Sequence, residues 1–529
     1  MIPVSTKQPP APRLGTVIAT PESPSTTEFS FVVQGAASTA GIGQFVECES
    51  EGQRVFGVVK CLTRANPYFE RADAVADYAK TKPETAAGSP GAIGGVSDEF
   101  PIAEWDHQVA QVQAVGALDD KSNLSRVRFP PAPGSSVKAA HDADLSRVLH
   151  LDPHGLAVGK LLAHDVPVTL SPHNLLQKHL AILGMSGSGK SVAASVLIEE
   201  LLTRKKEYGR LAIVAFDVHG DYLGFAGPRT PQFAEKTRVI AGSQVKIAAR
   251  HLTPKFLAHI MPDASPAALR EFQKITTALR AEKQNAFDLA DIVKAIEDAD
   301  MRDNVRAPLL DFVASLADLD LFGTADFPNV ERDVKPGELT LFDLSTLDDN
   351  RVRQIIVSHY GNHLFRLRRQ NTVPPYLMVV EEAHNFAPEK TASDQALSRR
   401  MIETVAREGR KFGACLCLVS QRPVNLSITA LSQCNSMLVM RITNPYDVEH
   451  IAQTSEGIDA ASKDQITGLR VGEGILLGEA AGMPLFVRIR NRTTPPSPKS
   501  KTLDALAREF EELNDVRALS PAQAKDAFA

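Results

Sequence analysis

Cysteine is scarce in this chain. Its 529 residues hold five, Cys48, Cys61, Cys415, Cys417 and Cys434, with no C-x-x-C pair and no zinc-type spacing. That excludes a disulfide scaffold and a cysteine-based zinc module. Cys415 and Cys417 alternate in an apolar run, where cysteine serves as a small core residue. Long hydrophobic runs are missing as well: none approaches the ~20 residues of a membrane-spanning helix. The Pro-rich start, Met1 to Pro12, lacks the apolar region of a secretory signal. A reducing, cytoplasmic location with no membrane is therefore expected. Charge of one sign is also lacking. Lys and Arg number 58 against 63 Asp and Glu, for a net charge of −5. Any nucleic-acid contact must then come from a local basic surface such as a channel lining. No internal repeat is present.

What the chain does have is length for two to four domains, with 43% apolar and 23% charged residues, ordinary for a globular protein. It also has Gly184-Met185-Ser186-Gly187-Ser188-Gly189-Lys190-Ser191, which matches G-x-x-x-x-G-K-[ST]. The run before it, His179 to Leu183, is short and apolar like a buried parallel strand. From Ser191 to Leu202 the apolar residues recur at helical spacing. Glycines let the backbone curl until several N–H groups face one anion, at the positive end of the following helix. Lys190 can reach the β- and γ-phosphates of a nucleotide, and the Ser191 hydroxyl can ligate Mg²⁺. The expected nucleotide-binding residues are Gly184, Ser186, Gly187, Ser188, Gly189, Lys190, Ser191 and Val192.

A second buried strand, 211–216, ends in Asp217-Val218-His219-Gly220-Asp221-Tyr222. Polar residues at the carboxyl end of a buried parallel strand lie where ligands bind in such sheets. Asp217, counted with the nucleotide site, and Asp221 are expected near Mg²⁺ or its waters, and His219 as a packed loop residue. A third strand, 376–380, ends in Glu381-Glu382-Ala383-His384. Glu381 can hold Mg²⁺ through water, and Glu382 can orient and polarise the attacking water. Gln421 closes the strand 414–419 and is expected to face the γ-phosphate. Arg407, Arg410 and Lys411 form a cationic group at the end of a helix expected over 394–407.

Residues 1–13 read as a disordered N-terminus. Short strands follow at 14–20, 29–33, 44–48, 55–61 and 109–115, interrupted by an exposed insertion at 80–95. Their length and spacing suggest a small barrel, so 14–170 is read as an N-terminal β-barrel with inserted loops. Strands at 156–162 and 166–170 either finish it or start the ATPase sheet. The α/β core is expected over 171–252 and 336–492. Helical periods at 267–281, 287–299 and 305–319 mark an insertion over 253–335. A Pro-rich linker and a helix occupy 493–529.

HLAILGMSGSGKS, FDVHGDY, MVVEEAHNF, AREGRKFG, SQRP and RITNPYDVEH, in this order, resemble the HerA family of hexameric RecA-like DNA translocases. The resemblance implies a RecA-like ATPase core with a helical insertion, preceded by a small β-barrel. It implies ATP and Mg²⁺ as cofactors, and a homo-hexamer that encircles duplex DNA beside a NurA-like nuclease or another effector, in DNA-end processing or anti-phage defence. Lys190 and Ser191 match the nucleotide lysine and Mg²⁺ serine, Glu382 the catalytic glutamate and Gln421 the γ-phosphate sensor. Arg407 or Arg410 matches the arginine offered to the neighbouring subunit's ATP. Glu381 stands where many members have Asp. Two other readings use the same ATP site: a nucleotide-gated ring that assembles an effector enzyme, and a secretion or conjugation ATPase.

Overall fold

The computed structural model describes residues 12–21, 23–34, 40–66, 69, 106–118, 124–253, 256–257, 265–390, 396–455, 460–497 and 503–518. The insertion expected at 80–95 and nearly all of 1–13 lie outside these. Contacts divide the chain into two units, Met1–Ser171 with Ser455–Ile489, and Pro172–Thr454 with Arg490–Ala529.

In the first unit seven strands, β1 (Arg13–Ile18), β2 (Glu28–Val33), β3 (Phe45–Ser50), β4 (Gln53–Ala65), β5 (His107–Leu118), β6 (Leu124–Ser125) and β7 (Ser136–Ala139), form one antiparallel sheet. Its order is β2-β1-β7-β3-β4-β5-β6, and an extra β2–β5 pairing closes the ring into a barrel. Side chains alternate across each strand, so Val17, Phe29, Phe31, Val46, Cys48, Val55, Val59 and Val112 meet in one core. Closure leaves few free strand edges. Two further strands, β8 (Leu156–Leu161) and β9 (Pro167–Leu170), pair with each other, and β8 pairs with Leu485–Ile489 rather than with the barrel. That ladder, continued by Glu473–Gly478, is why Ser455–Ile489 groups here.

The second unit carries seven parallel strands. They are β10 (Leu180–Leu183), β11 (Ala212–Asp217), β12 (Thr237–Ala241), β15 (Leu339–Asp343), β16 (Tyr376–Val380), β17 (Ala414–Ser420) and β18 (Ser436–Met440), with a two-residue ribbon of β13 (Ile247–Ala248) and β14 (Phe322–Gly323) set apart. The order is β12-β15-β11-β16-β17-β10-β18. Every residue of β10, β11, β15, β16, β17 and β18 is buried, which fits continuous apolar runs covered on both faces. Three helices, Pro266–Glu282, Leu289–Asp298 and Asp303–Ala317, interrupt the alternation. Ser265 caps the first by accepting from the Ala268 N–H, and Asp288 and Asp291 form a capping box on the second. The helix expected over 394–407 runs from Arg399 to Glu408. Ser398, just before it, donates its hydroxyl to the Phe386 carbonyl at 2.7 Å.

The segment expected as a linker after 493 is seated on the fold as far as Ser497. Glu199, 1% exposed on the helix Lys190–Thr203, accepts from the backbone N–H groups of Thr493 and Thr494, the Thr494 hydroxyl and Arg490. The backbone then passes so close to Gly224 that a Cβ there would lie 2.2 Å from the Pro495 carbonyl oxygen. A buried carboxylate with four donors costs several of them their partner when removed. Glu199→Ala is expected to cost about 3 kcal/mol of stability, read as an earlier midpoint in urea. An unchanged midpoint would show that this strap adds nothing.

Candidate active site

The phosphate loop leaves the carboxyl end of β10. Strand β10 lies between β17 and β18, with Leu183 level with Ser420 and Val439. The loop is pinned at its root: the Gly184 N–H donates to Ser420 O, and the Met185 N–H to Arg441 O. Gly184 has no room for a side chain, since a Cβ would lie 2.6 Å from Ser188 Oγ and 2.9 Å from Met440 Cβ. Gly187 and Gly189 hold φ of +75° and +108°, a region that L side chains avoid. Gly189 then caps the helix Lys190–Thr203, whose first N–H groups and dipole face the cradle.

Lys190 is 8% exposed and donates from Nζ to the Met185 carbonyl at 3.0 Å. Burial pushes its ammonium below the usual lysine range, opposed by the charges of Glu382, Glu381 and Asp221. The Ser191 hydroxyl donates to Asp221 Oδ2 at 2.6 Å, and Glu381 Oε1 lies 3.4 Å from it. Three chain segments, 190 residues apart at the extremes, thus meet at one hydroxyl. Burial, and then the charges of Asp217 and Asp221, push the Glu381 carboxyl up to about 8. Its Oε2 is buried and has no hydrogen-bond partner. Crowded carboxylates with an orphaned oxygen beside a serine hydroxyl form an all-oxygen donor set, and this fits a hard divalent cation such as Mg²⁺.

Glu382 follows directly, with φ +47°, a left-handed conformation that a non-glycine residue holds only under the constraint of its surroundings. The turn aims its carboxylate between two histidines. Oε1 lies 3.5 Å from His219 Nε2, and Oε2 lies 3.2 Å from His384 Nδ1. Burial raises the Glu382 pKa, but the hydrogen bond to His219 and the charges of His384 and Lys190 outweigh it and hold the carboxyl below its ordinary value. His219 moves up in return, chiefly through the same hydrogen bond. His384 also meets Ser420 Oγ at 3.1 Å, beside Gln421, which follows β17 at the loop's edge of the sheet.

Not every expected residue joins this cluster. Asp217 is fully buried, and its oxygens accept from the N–H groups of His219, Gly220, Asp221 and Tyr222 at 2.7–3.2 Å. It shapes the turn that delivers Asp221, and it is Asp221 that reaches Ser191. Val192 is half-buried on the first turn of the helix, and Ser186 is exposed at the loop's tip. Arg407 and Arg410 are exposed at the opposite edge of the sheet. The carbonyl of Ala406, beside Arg407, meets His179 Nε2 at 2.9 Å, and His179 precedes β10. From there to Gly184 the strand rises roughly 16 Å. His219 and His384, residues that sequence reasoning set aside or left without a role, both touch Glu382. Their only signal was position within the two acidic strand ends.

The family described as "Helicase HerA, central domain" matches residues 156–364. The chain is 26% identical over 476 residues to a protein of Sulfurisphaera tokodaii named DNA double-strand break repair helicase HerA, covering 84% of this chain and 88% of that one. A protein of the same name from Pyrococcus furiosus is 27% identical over 451 residues, covering 74% and 79%. Among solved structures, VirB4 of Thermoanaerobacter pseudethanolicus shares the fold, with a TM-score of 0.51 at 13% identity, over 65% of this chain and 98% of that one. The chain is an ATP-hydrolysing enzyme of the phosphate-loop class.

Lys190→Ala should abolish tight ATP binding. Glu382→Gln keeps the shape but is a poor base, so binding should persist while turnover falls roughly 10²–10⁴-fold. Fluorescent-nucleotide titration and phosphate release measure the two effects, and equal values in wild type and both variants would sink the assignment.

Proposed function

We propose that the chain is a member of the HerA family and the subunit of a hexameric ring that hydrolyses ATP to move along duplex DNA. The relation to proteins named as DNA double-strand break repair helicases, over most of the chain, carries this reading. The convergence of Lys190, Ser191, Asp221, Glu381 and Glu382 on the phosphate loop supports it. Ser191, Asp221 and Glu381 would hold Mg²⁺, and the ion would supply positive charge to offset that of the nucleotide phosphates. Lys190 leaves the Met185 carbonyl for the terminal phosphates. Glu382, positioned by His219 and His384, orients the attacking water and accepts its proton. Gln421 senses the γ-phosphate from the neighbouring strand end, and Arg407 or Arg410 completes the site of the next subunit.

A partner nuclease, or another effector in anti-phage defence, uses the translocation that the ring supplies. Among the described residues no helix is long and apolar enough to cross a membrane.

If the ring grips phosphates, duplex DNA raises ATP turnover. Binding then weakens with salt by about 0.9 log unit per released counterion per log unit of salt. Turnover indifferent to DNA, with no salt-sensitive binding, would favour a nucleotide-gated scaffold that assembles an effector enzyme.

A further inference from the structure

We propose that His251, His359 and His363 bind one divalent transition-metal ion of the zinc class, which staples the root of the helical insertion to the core. The three residues come from separate places in the second unit. His251 ends a short turn after β13, whereas His359 and His363 stand four apart on the helix Asn350–Arg369, one above the other on a single face. Each offers a ring nitrogen, and these nitrogens all lie within 4.8 Å of one another. Ring centroids are 4.9 Å apart for His251–His359, 5.5 Å for His251–His363 and 5.8 Å for His359–His363.

Two observations separate this cluster from ordinary packing of histidines. First, His359 is 7% exposed, and the Nδ1 of His363 is buried without a hydrogen-bond partner. A buried ring nitrogen with no partner is costly, and an ion would satisfy it. Second, a carboxylate stands where metal-bound histidines usually have one. Asp326 Oδ2 accepts from His251 Nε2 at 2.9 Å and from Arg250 at 2.6 Å, while Oδ1 accepts from the Ala248 N–H at 3.0 Å and lies 3.4 Å from His359 Nε2. It therefore fixes the orientation of His251 and sits against a second histidine of the set.

Imidazole donors suit zinc, copper or nickel rather than Mg²⁺, so this site is chemically distinct from the oxygen cluster at Ser191. Zinc–nitrogen bonds are about 2.0–2.1 Å, so the rings rotate inward on binding, and water fills a fourth position.

The placement gives the ion a task. His251 precedes the three inserted helices and Asp326 follows them, while His359 and His363 belong to a core helix. An ion here ties both ends of the insertion to that helix.

The test uses the untagged full chain, stripped of metal and free of nucleotide, titrated with Co²⁺ as a visible probe. The expected result is one Co²⁺ per chain with the absorption bands of imidazole-bound cobalt, displaced by Zn²⁺. His363→Ala should lose the bands while keeping ATP binding, which shows that the core is folded. Asp326→Asn should keep the bands with affinity weakened about 10–100-fold. No visible bands in the wild type, or the same bands and stoichiometry in His363→Ala, would overturn the proposal, and the wild-type and Asp326→Asn titrations decide it if His363→Ala does not fold.

Discussion

An anionic ligand must be gripped by backbone amides at the same point where carboxylates gather to hold a cation, and the second unit is built around that conflict. Lys190 and the amides of Gly187 to Ser191 attract phosphate. Asp221, Glu381 and Glu382, all of which the buried Lys190 feels, would repel it. The two sets lie at the carboxyl ends of neighbouring parallel strands, the region where such sheets bind ligands. Their separation is set by the register of β10 with β17, of β17 with β16 and of β16 with β11. Burial first, and then the charges of Asp217 and Asp221, push the Glu381 carboxyl up to about 8.

The same sheet divides the expected machinery between two edges. Lys190, Ser191 and Glu382 stand at the carboxyl edge. Arg407, in the last turn of the helix Arg399–Glu408, and Arg410, just beyond it, stand at the amino edge, where Ala406 O meets His179. An arginine side chain does not span the roughly 16 Å of strand between them. Arg407 and Arg410 therefore lie out of reach of the phosphate loop of their own chain.

Much of this was legible in the sequence because it is local. A phosphate loop must be glycine-rich, preceded by a strand and followed by a helix, and all three can be read within twenty-five residues. Glu381 and Glu382 follow five apolar residues, which marks a strand end. What escaped depends on turns and on long-range register. Asp217 and Asp221 are equally acidic and four residues apart. Only the turn, whose N–H groups occupy Asp217, decides that Asp221 meets Ser191. His219 and His384 were invisible as a pair because nothing in either segment specifies that both turn toward Glu382. Likewise, β8 pairs with Leu485–Ile489 more than 300 residues later, a register no local pattern announces. The helices of the insertion were read to within two residues at most of their ends, since their apolar period is strong and the first two carry side-chain caps. His251 lies far in sequence from His359 and His363, so no local pattern announces the cluster at its root.

The central claim is that hydrolysis occurs between subunits, and mixing variants tests it most directly. Arg407→Ala protein keeps its phosphate loop and Glu382, while Glu382→Gln protein keeps its arginine. Each alone should be nearly inactive, since an arginine supplied by another subunit can be worth roughly 10³–10⁵ in rate. Mixed rings should regain ATP turnover wherever an Arg407→Ala site receives a neighbour's arginine. Full activity of Arg407→Ala alone, or no recovery despite demonstrated subunit exchange, would contradict the account for that residue.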